Sequence, residues 1–130
     1  MLVLTIRTDK PESEIGLFLN GQELAYEKWP AHRQLAETLH IKIRDLLATQ
    51  KKDWPDIQGL VIYQGPGSFT GLRIGISVAN ALAASLEIPI IGTTGEEWFK
   101  LGLKKLGAGK DDRQILPEYG ADAHVTVPKK

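Results

Sequence analysis

The chain has 130 residues, with 16 basic and 16 acidic side chains and no cysteine. This length provides for one domain with one hydrophobic core. The balanced charge excludes a general electrostatic attraction to nucleic acid or to membranes, so any contact with RNA is expected to go through a partner. The absence of cysteine excludes disulfides, thiolate catalysis and cysteine-bound metal.

The N-terminal sequence shows none of the features of a signal peptide. Residues 1–7 lack a basic start, a long apolar run and a small-residue cleavage site. The most apolar stretch, residues 74–91, is interrupted by polar residues and a proline, which is typical of a buried helix and strand rather than a membrane span. We therefore expect a cytoplasmic protein that does not contact a membrane.

The first part of the chain predicts three antiparallel strands. Residues 2–7 alternate weakly between apolar and polar side chains, as in a strand with a buried face. A second strand is predicted over residues 14–19 and a third over residues 22–29. Asn20 and Gly21 lie between them and form the strongest short hairpin signal available. The chain therefore opens as a meander.

The next part predicts helices that alternate with strands. Residues 32–50 carry apolar side chains at helical spacing, which gives one continuous stripe. The stripe consists of Leu35, Leu39, Ile43, Leu46 and Leu47. Strands joined through helices pair in parallel by right-handed crossovers. The other predicted elements are a strand at 57–63, a helix at 71–86, a strand at 88–92 and a helix at 95–106.

This order of elements predicts the fold class. A three-strand meander followed by parallel strands gives a mixed α/β sheet with helices packed on it, as in ribonuclease H-like and actin-like ATPase folds. We expect a single domain over residues 1–106. Periodicity ends there, so residues 107–130 are expected to form a linker, over 107–114, and an extended C-terminal tail.

A glycine turn separates the buried strand from the helix that follows it. Strand-to-helix turns of this kind are where α/β proteins usually bind ligands, and the free amides of the helix start favour an anion. Thr70 is the preferred N-cap of the helix, with Ser68 as the other candidate. No Gly-Lys-Ser/Thr follows, so this is not a Walker loop. The turn consists of Gly65, Pro66, Gly67, Ser68, Phe69, Thr70 and Gly71.

Small side chains recur along the helix after the turn. Gly71, Gly75, Ala79 and Ala83 follow one another at intervals of four, which lets another backbone come close. The face packs either on the protein's own sheet or against a helix of another chain. Arg73 is unusual because a cation in the first turn opposes the helix dipole. It is either an ordinary surface arginine or a ligand for a carboxylate or phosphate.

Enzyme motifs are weak. A two-metal nuclease of this fold needs an acid in the first strand, but Asp9 follows the end of that strand. The three histidines show no spacing that is typical of a metal site, although His40 is expected at a surface or interface. Ser68 does not occupy the serine position of a Gly-x-Ser-x-Gly motif, so its hydroxyl is better explained as a cap.

Residues 65–75, which read GPGSFTGLRIG, closely resemble the signature of the TsaB family, also called YeaZ. The strand at 57–63, the strand at 88–92 and the tail from Pro117 to Lys130 are also similar to that family. The resemblance implies an actin-like fold that has lost independent catalysis. It further implies a subunit that binds and supports TsaD, the transferase that makes threonylcarbamoyladenosine in the anticodon loop of transfer RNA.

The resemblance also implies how the subunits dock. The contact would be made by the helices at about 32–50 and 71–86. A TsaE-type ATPase would join the pair, and the same helix faces would permit a homodimer when the chain is alone; both points stay open. The interface candidates are Leu35, Leu39, Ile43, Leu72, Arg73, Gly75, Ile76, Ala79 and Ala83.

Two departures from the family bear on ligands and size. Members carry Asp-Thr-Ser after the first strand, where this chain has Arg7, Thr8, Asp9 and Lys10, which argues against nucleotide binding there. We expect no cofactor, with ATP or ADP only in the partner or at the shared interface. The chain is expected to be a minimal form without most of the second subdomain. The alternative function is a nucleotide- or anion-binding protein with its own hydrolase or sensor activity.

Overall fold

A five-stranded mixed sheet forms the centre of the computed structural model. The structure describes residues 1–31, 34–67 and 69–118, with Phe69 described by its backbone alone. The strand order is β3-β2-β1-β4-β5. β1 pairs antiparallel with β2, and β2 with β3, whereas β1, β4 and β5 run parallel. The strands are β1 (Leu2–Arg7), β2 (Glu12–Leu19), β3 (Gln22–Pro30), β4 (Gly59–Tyr63) and β5 (Ile90–Thr93).

Three α-helices cover the two faces of this sheet. They are α1 (Leu35–Thr49), α2 (Phe69–Leu86) and α3 (Trp98–Gly107). Side chains along a strand alternate between the two faces of the sheet. α2 packs on Thr8 and α3 packs on Val61, so these two helices lie on opposite faces. α1 lies on the α2 face, where the Trp29 indole donates to Thr38. Within the described ranges, no helix is long and apolar enough to cross a bilayer.

The core fills the space between the sheet and its helices. Leu4 and Ile6 of β1 are completely buried, as are Leu60 and Ile62 of β4. Central parallel strands are covered on both faces, which explains why β1 and β4 read as almost continuous apolar runs. The stripe of α1 completes the core, with Leu35, Leu39, Ile43, Leu46 and Leu47 all buried.

The predicted order of strands and helices is confirmed, with boundaries that shift by a few residues. The prediction of Thr70 as N-cap is wrong, because α2 begins at Phe69 and Thr70 is already helical. The other candidate, Ser68, lies outside the described residues. The earlier start also makes Arg73 the fifth residue of the helix, where the opposing dipole is weaker than in the first turn.

Residues 110–118, which include part of the predicted linker, are hydrogen-bonded to the domain. The Asp111 and Asp112 carboxylates accept hydrogen bonds from the backbone N–H groups of Ile90 and Gly92, at 3.1 and 2.9 Å. Ile115 is only 2% exposed. These contacts satisfy amide groups on the outer strand of the sheet, which would otherwise be open to pairing with another chain. The predicted tail beyond Glu118 lies outside the described residues.

Two glycines of α3 provide a matched test of this packing. A methyl group at Gly102 would overlap the buried Val61 side chain, whereas at Gly107 it would meet nothing within 4 Å. We expect Gly102→Ala to lower the free energy of unfolding by about 1–3 kcal/mol. Gly107→Ala should raise it by up to about 1 kcal/mol through helix propensity. Urea denaturation measures both, and equal effects would contradict the placement of α3.

Candidate functional site

The loop after β1 lies directly on the start of α2, and three glycines make this possible. A Cβ at Gly67 would overlap Asp9, one at Gly71 would overlap the Thr8 carbonyl oxygen, and one at Gly75 would overlap the Thr8 hydroxyl. The Thr8 Oγ1 also donates to the Gly71 carbonyl oxygen at 2.7 Å. The repeat of small residues every fourth position is therefore explained by contacts within the chain.

The glycine turn is also covered from the C-terminal side. Gly65 has φ +125°, and a Cβ there would overlap the carbonyl oxygen of Glu118. The Glu118 N–H donates to the Gln64 carbonyl oxygen at 2.9 Å. The Tyr63 hydroxyl donates to the Pro66 carbonyl oxygen, also at 2.9 Å. The chain's own backbone and side chains thus occupy the space that a ligand would need beside Gly65 and Gly67.

An ion pair closes the carboxyl end of β1. The Arg7 Nε lies 2.7 Å from Asp9 Oδ1, and its Nη2 lies 3.3 Å from Oδ2. The guanidinium also sits 3.8 Å from the centre of the Tyr63 ring, which is a favourable cation–π geometry. The side chains of Arg7 and Asp9 are 16% and 6% exposed. The acid that follows the first strand is therefore already bound to a cation.

The surroundings shift the pKa values of this cluster. Burial lowers the pKa of the Arg7 guanidinium, but the hydrogen bond and charge of Asp9 outweigh burial, and the pKa lies above its ordinary value. Burial raises the pKa of Tyr63, although the Arg7 charge opposes this effect. Both groups therefore keep their protonated forms at neutral pH.

A polar cleft of about 460 Å³ lies on the α3 face beside the ion pair. Its wall includes Tyr26, whose hydroxyl donates to Glu14 Oε1 at 2.5 Å. Burial, followed by this hydrogen bond, raises the pKa of Tyr26 well above its usual range. Trp98 and Phe99 of α3 form the apolar side of the cleft. Across the part of the chain that the structure describes, no three His, Asp or Glu side chains come together as a metal site.

The predicted interface residues are mostly buried within this chain. Arg73 is exposed, whereas the other eight are buried on the α1–α2 side of the core. Their contact with a partner stays a prediction. The eight buried residues are Leu35, Leu39, Ile43, Leu72, Gly75, Ile76, Ala79 and Ala83.

An open groove of about 380 Å³ runs between the outer faces of α1 and α2. Two of its residues, Arg73 and His40, were singled out from the sequence, and the others were not. The outward-facing residues of α2 could have been predicted, because a helix whose buried face carries Leu72, Ile76 and Ala79 must present the intervening positions outward. The groove is lined by Ala36, His40, Arg73, Ile74, Ser77 and Val78.

Solved structures with the same arrangement define the class of protein. YeaZ from Pseudomonas aeruginosa aligns with a TM-score of 0.66 at 28% sequence identity, over 72% of this chain and 43% of that one. RuvC from T. thermophilus, solved with a Holliday junction substrate, aligns with a TM-score of 0.53 over 95% of this chain and 87% of that one. At 12% identity this second likeness concerns the fold alone. The chain has a ribonuclease H-like, actin-like fold, as predicted.

Sequence comparisons then give the family. The family model described as "TsaD: tRNA N6-adenosine threonylcarbamoyltransferase" matches residues 30–97, just over half of the chain. The chain belongs to this family. The Escherichia coli "tRNA threonylcarbamoyladenosine biosynthesis protein TsaB" is 33% identical over 120 residues, which are 87% of this chain and 51% of that protein. The predicted resemblance to TsaB and YeaZ is confirmed, and the chain spans about half the length of this relative.

A tRNA N6-adenosine threonylcarbamoyltransferase from Syntrophotalea carbinolica is also similar. It is 36% identical over 62 residues, which are 48% of this chain and 18% of that protein. The chain is thus similar both to proteins named for TsaB and to proteins named for the transferase.

Substitution of Gly71 tests the contact between the β1–β2 loop and α2. Gly71→Ala should lower the free energy of unfolding by about 1–3 kcal/mol, because the methyl group pushes against the Thr8 backbone. Ser77→Ala in the exposed part of the same helix should change it by no more than about 0.5 kcal/mol. Urea denaturation compares them. If Gly71→Ala instead raised the free energy of unfolding, as alanine does in place of an ordinary helical glycine, the close contact between Thr8 and Gly71 would be contradicted.

Tyr26 predicts a pH dependence of stability. Its pKa in the folded state is raised above the ordinary value of 10.0, so its stabilisation is complete below that pH and is lost as pH rises further. Native protein should therefore lose more stability between about pH 8 and pH 11 than Tyr26→Phe does. Urea denaturation at the two pH values measures this difference. Identical losses would show that the pKa of Tyr26 is not raised in the folded chain.

Proposed function

We propose that this chain is a non-catalytic subunit that binds and supports a TsaD-type threonylcarbamoyltransferase in the modification of transfer RNA. Its family membership and its similarity to TsaB support the pathway. The groove between α1 and α2 is the observation that carries the docking proposal. Transfer RNA would be contacted through the partner, and ATP or ADP would bind in the partner or at the shared interface.

The shape of the groove fits a helix from another protein. Its walls carry the small side chains of Ala36 and Ser77, which let a second backbone come close to both helices. Ile74 and Val78 supply apolar surface between them. An apolar centre with a polar border is typical of protein interfaces.

The charge of the groove indicates what the partner helix should carry. Arg73 and His40 line it, and the other described residues that line it bear no charge. Arg73 forms no ion pair with any residue that the structure describes. A carboxylate on the docking helix would therefore gain a charge-assisted hydrogen bond. The docking helix would thereby supply a partner for the Arg73 guanidinium.

The state of the β1 end supports an accessory role. Asp9 is the acid nearest to a catalytic position in this fold, and Arg7 already binds it at 2.7 Å. The space beside the glycine turn is filled by Asp9 and Glu118. A subunit of this kind would act by holding its partner in a competent state. A TsaE-type ATPase or a second copy of the chain would have to bind together with, or compete with, that partner.

The interface is tested with a double variant in the groove. Arg73→Glu with Val78→Asp removes the cation and places a charge on the apolar centre. We expect the dissociation constant for the cognate TsaD-type protein to rise at least about 100-fold, equivalent to roughly 3 kcal/mol. Isothermal titration calorimetry measures it, with circular dichroism and thermal denaturation to confirm folding.

The matched control lies on the opposite face of the sheet. Lys104 and Leu101 of α3 are exposed, so Lys104→Glu with Leu101→Asp makes the same chemical change away from the groove. This control should bind within about threefold of the native chain. Loss of binding by the control alone would move the interface to α3. Absence of any complex at micromolar concentration would overturn the proposed function.

A further inference from the structure

A second cavity, of about 290 Å³, lies between the β1–β2 loop and the first turns of α1 and α2. It is separate from the polar cleft, which is on the other face of the sheet. It touches the groove only through Ile74. Its volume is close to the lower limit for ligand pockets, so it suits a molecule of a few heavy atoms. The polar residues that line it are Thr8, Lys10, Ser13 and Thr70.

Ser13 gives the first sign that this cavity binds a polar group. The side chain is completely buried, and its Oγ has no hydrogen-bond partner among the described residues. A buried hydroxyl without a partner is unfavourable, and most such groups in proteins are satisfied. Because Ser13 lines the cavity, a ligand acceptor that reaches its Oγ would take the hydrogen bond that the described residues do not provide.

The charges around the cavity give the second sign. Among the residues that the structure describes, Lys10 is the charged side chain in the wall, and none of the residues that line the cavity carries a carboxylate. The nearest acid along the chain, Asp9, is bound to Arg7. The N-terminal end of the 18-residue helix α2 adds a partial positive charge, since Thr70 and Gly71 of its first turn are in the wall. The site therefore favours an anion.

The apolar part of the wall restricts which anion fits. Pro11, Ala31, Leu35 and Ile74 supply the apolar lining of the cavity. Inorganic phosphate would leave that surface without a contact, whereas an aliphatic acid would cover it. We propose that this cavity binds a small aliphatic carboxylic acid, with the carboxylate on Lys10, Ser13 and the start of α2, and the hydrocarbon part against the apolar wall.

The test uses butyrate as the probe and butyramide as its neutral match. Titration of the isotopically labelled chain, followed by nuclear magnetic resonance, should show saturable shifts at the amides of Ser13, Thr70 and Gly71. For a ligand of this size we expect a butyrate dissociation constant of about 1 mM. Butyramide should bind at least about tenfold more weakly, since it lacks the charge. Equal binding of the two probes would overturn the proposal.

Two variants and a control assign the contacts. Lys10→Met should weaken butyrate binding at least about fivefold, whereas Lys28→Met, on the opposite face of the sheet, should leave it unchanged. Ser13→Ala should weaken binding and yet raise the melting temperature, because it removes an unsatisfied buried hydroxyl. A lower melting temperature would show that the Ser13 hydroxyl already has a hydrogen-bond partner. Unchanged butyrate binding by Lys10→Met would exclude the site.

A third probe separates the ligand classes. Inorganic phosphate should bind more weakly than butyrate, and tighter binding of phosphate would overturn the assignment to an aliphatic acid. The proposal concerns the free chain alone. It therefore stands or fails independently of complex formation with a TsaD-type partner.

Discussion

The close contact between the β1–β2 loop and α2 is the constraint on which the rest of the structure depends. The Thr8 backbone reaches the helix so closely that Gly71 cannot carry a side chain, and the Thr8 hydroxyl sets the same limit at Gly75. The start of the helix is thereby fixed at the carboxyl end of β1. Its other face then lies outward, beside α1. Packing inside the chain thus determines which surface is left for a partner.

The same contact separates three environments around one short loop. Asp9 turns toward Arg7 and Tyr63, where the charges are neutralised. The Thr8 hydroxyl donates to the Gly71 carbonyl oxygen, so its hydrogen is not available to another acceptor. Lys10 and the unsatisfied Ser13 hydroxyl line the same cavity, whose described lining residues include no acid. A loop that follows the first strand therefore combines an inert ion pair with an electropositive cavity.

Much of the fold was predictable because periodicity reports burial. The stripe of α1 and the runs of β1 and β4 are apolar in the pattern that their packing requires, and the Asn20-Gly21 turn sits where the pattern placed it. The candidate site was less predictable. Spacing every fourth residue is the same for a glycine that contacts its own backbone as for one that contacts a partner, so the sequence left Gly71 and Gly75 ambiguous.

Other features depend on contacts between distant residues. The Arg7–Asp9 pair could be suspected from proximity, but its stacking on Tyr63 follows from the parallel register of β1 and β4. The bonding of Asp111 and Asp112 to β5 could not be read from a polar, glycine-rich segment. The orphan hydroxyl of Ser13 depends on what the neighbouring strand and helices fail to provide. No local pattern reports such an absence.

Hydrogen exchange of the native chain, alone and mixed with the cognate TsaD-type protein, tests the central claim most directly. If the packing of Thr8 on α2 leaves the α1–α2 groove as the docking surface, exchange should slow in residues 36–44 and 73–81. Residues 100–107 of α3 should exchange as before. Slower exchange confined to α3 and the polar cleft, with no change at the groove, would contradict the account.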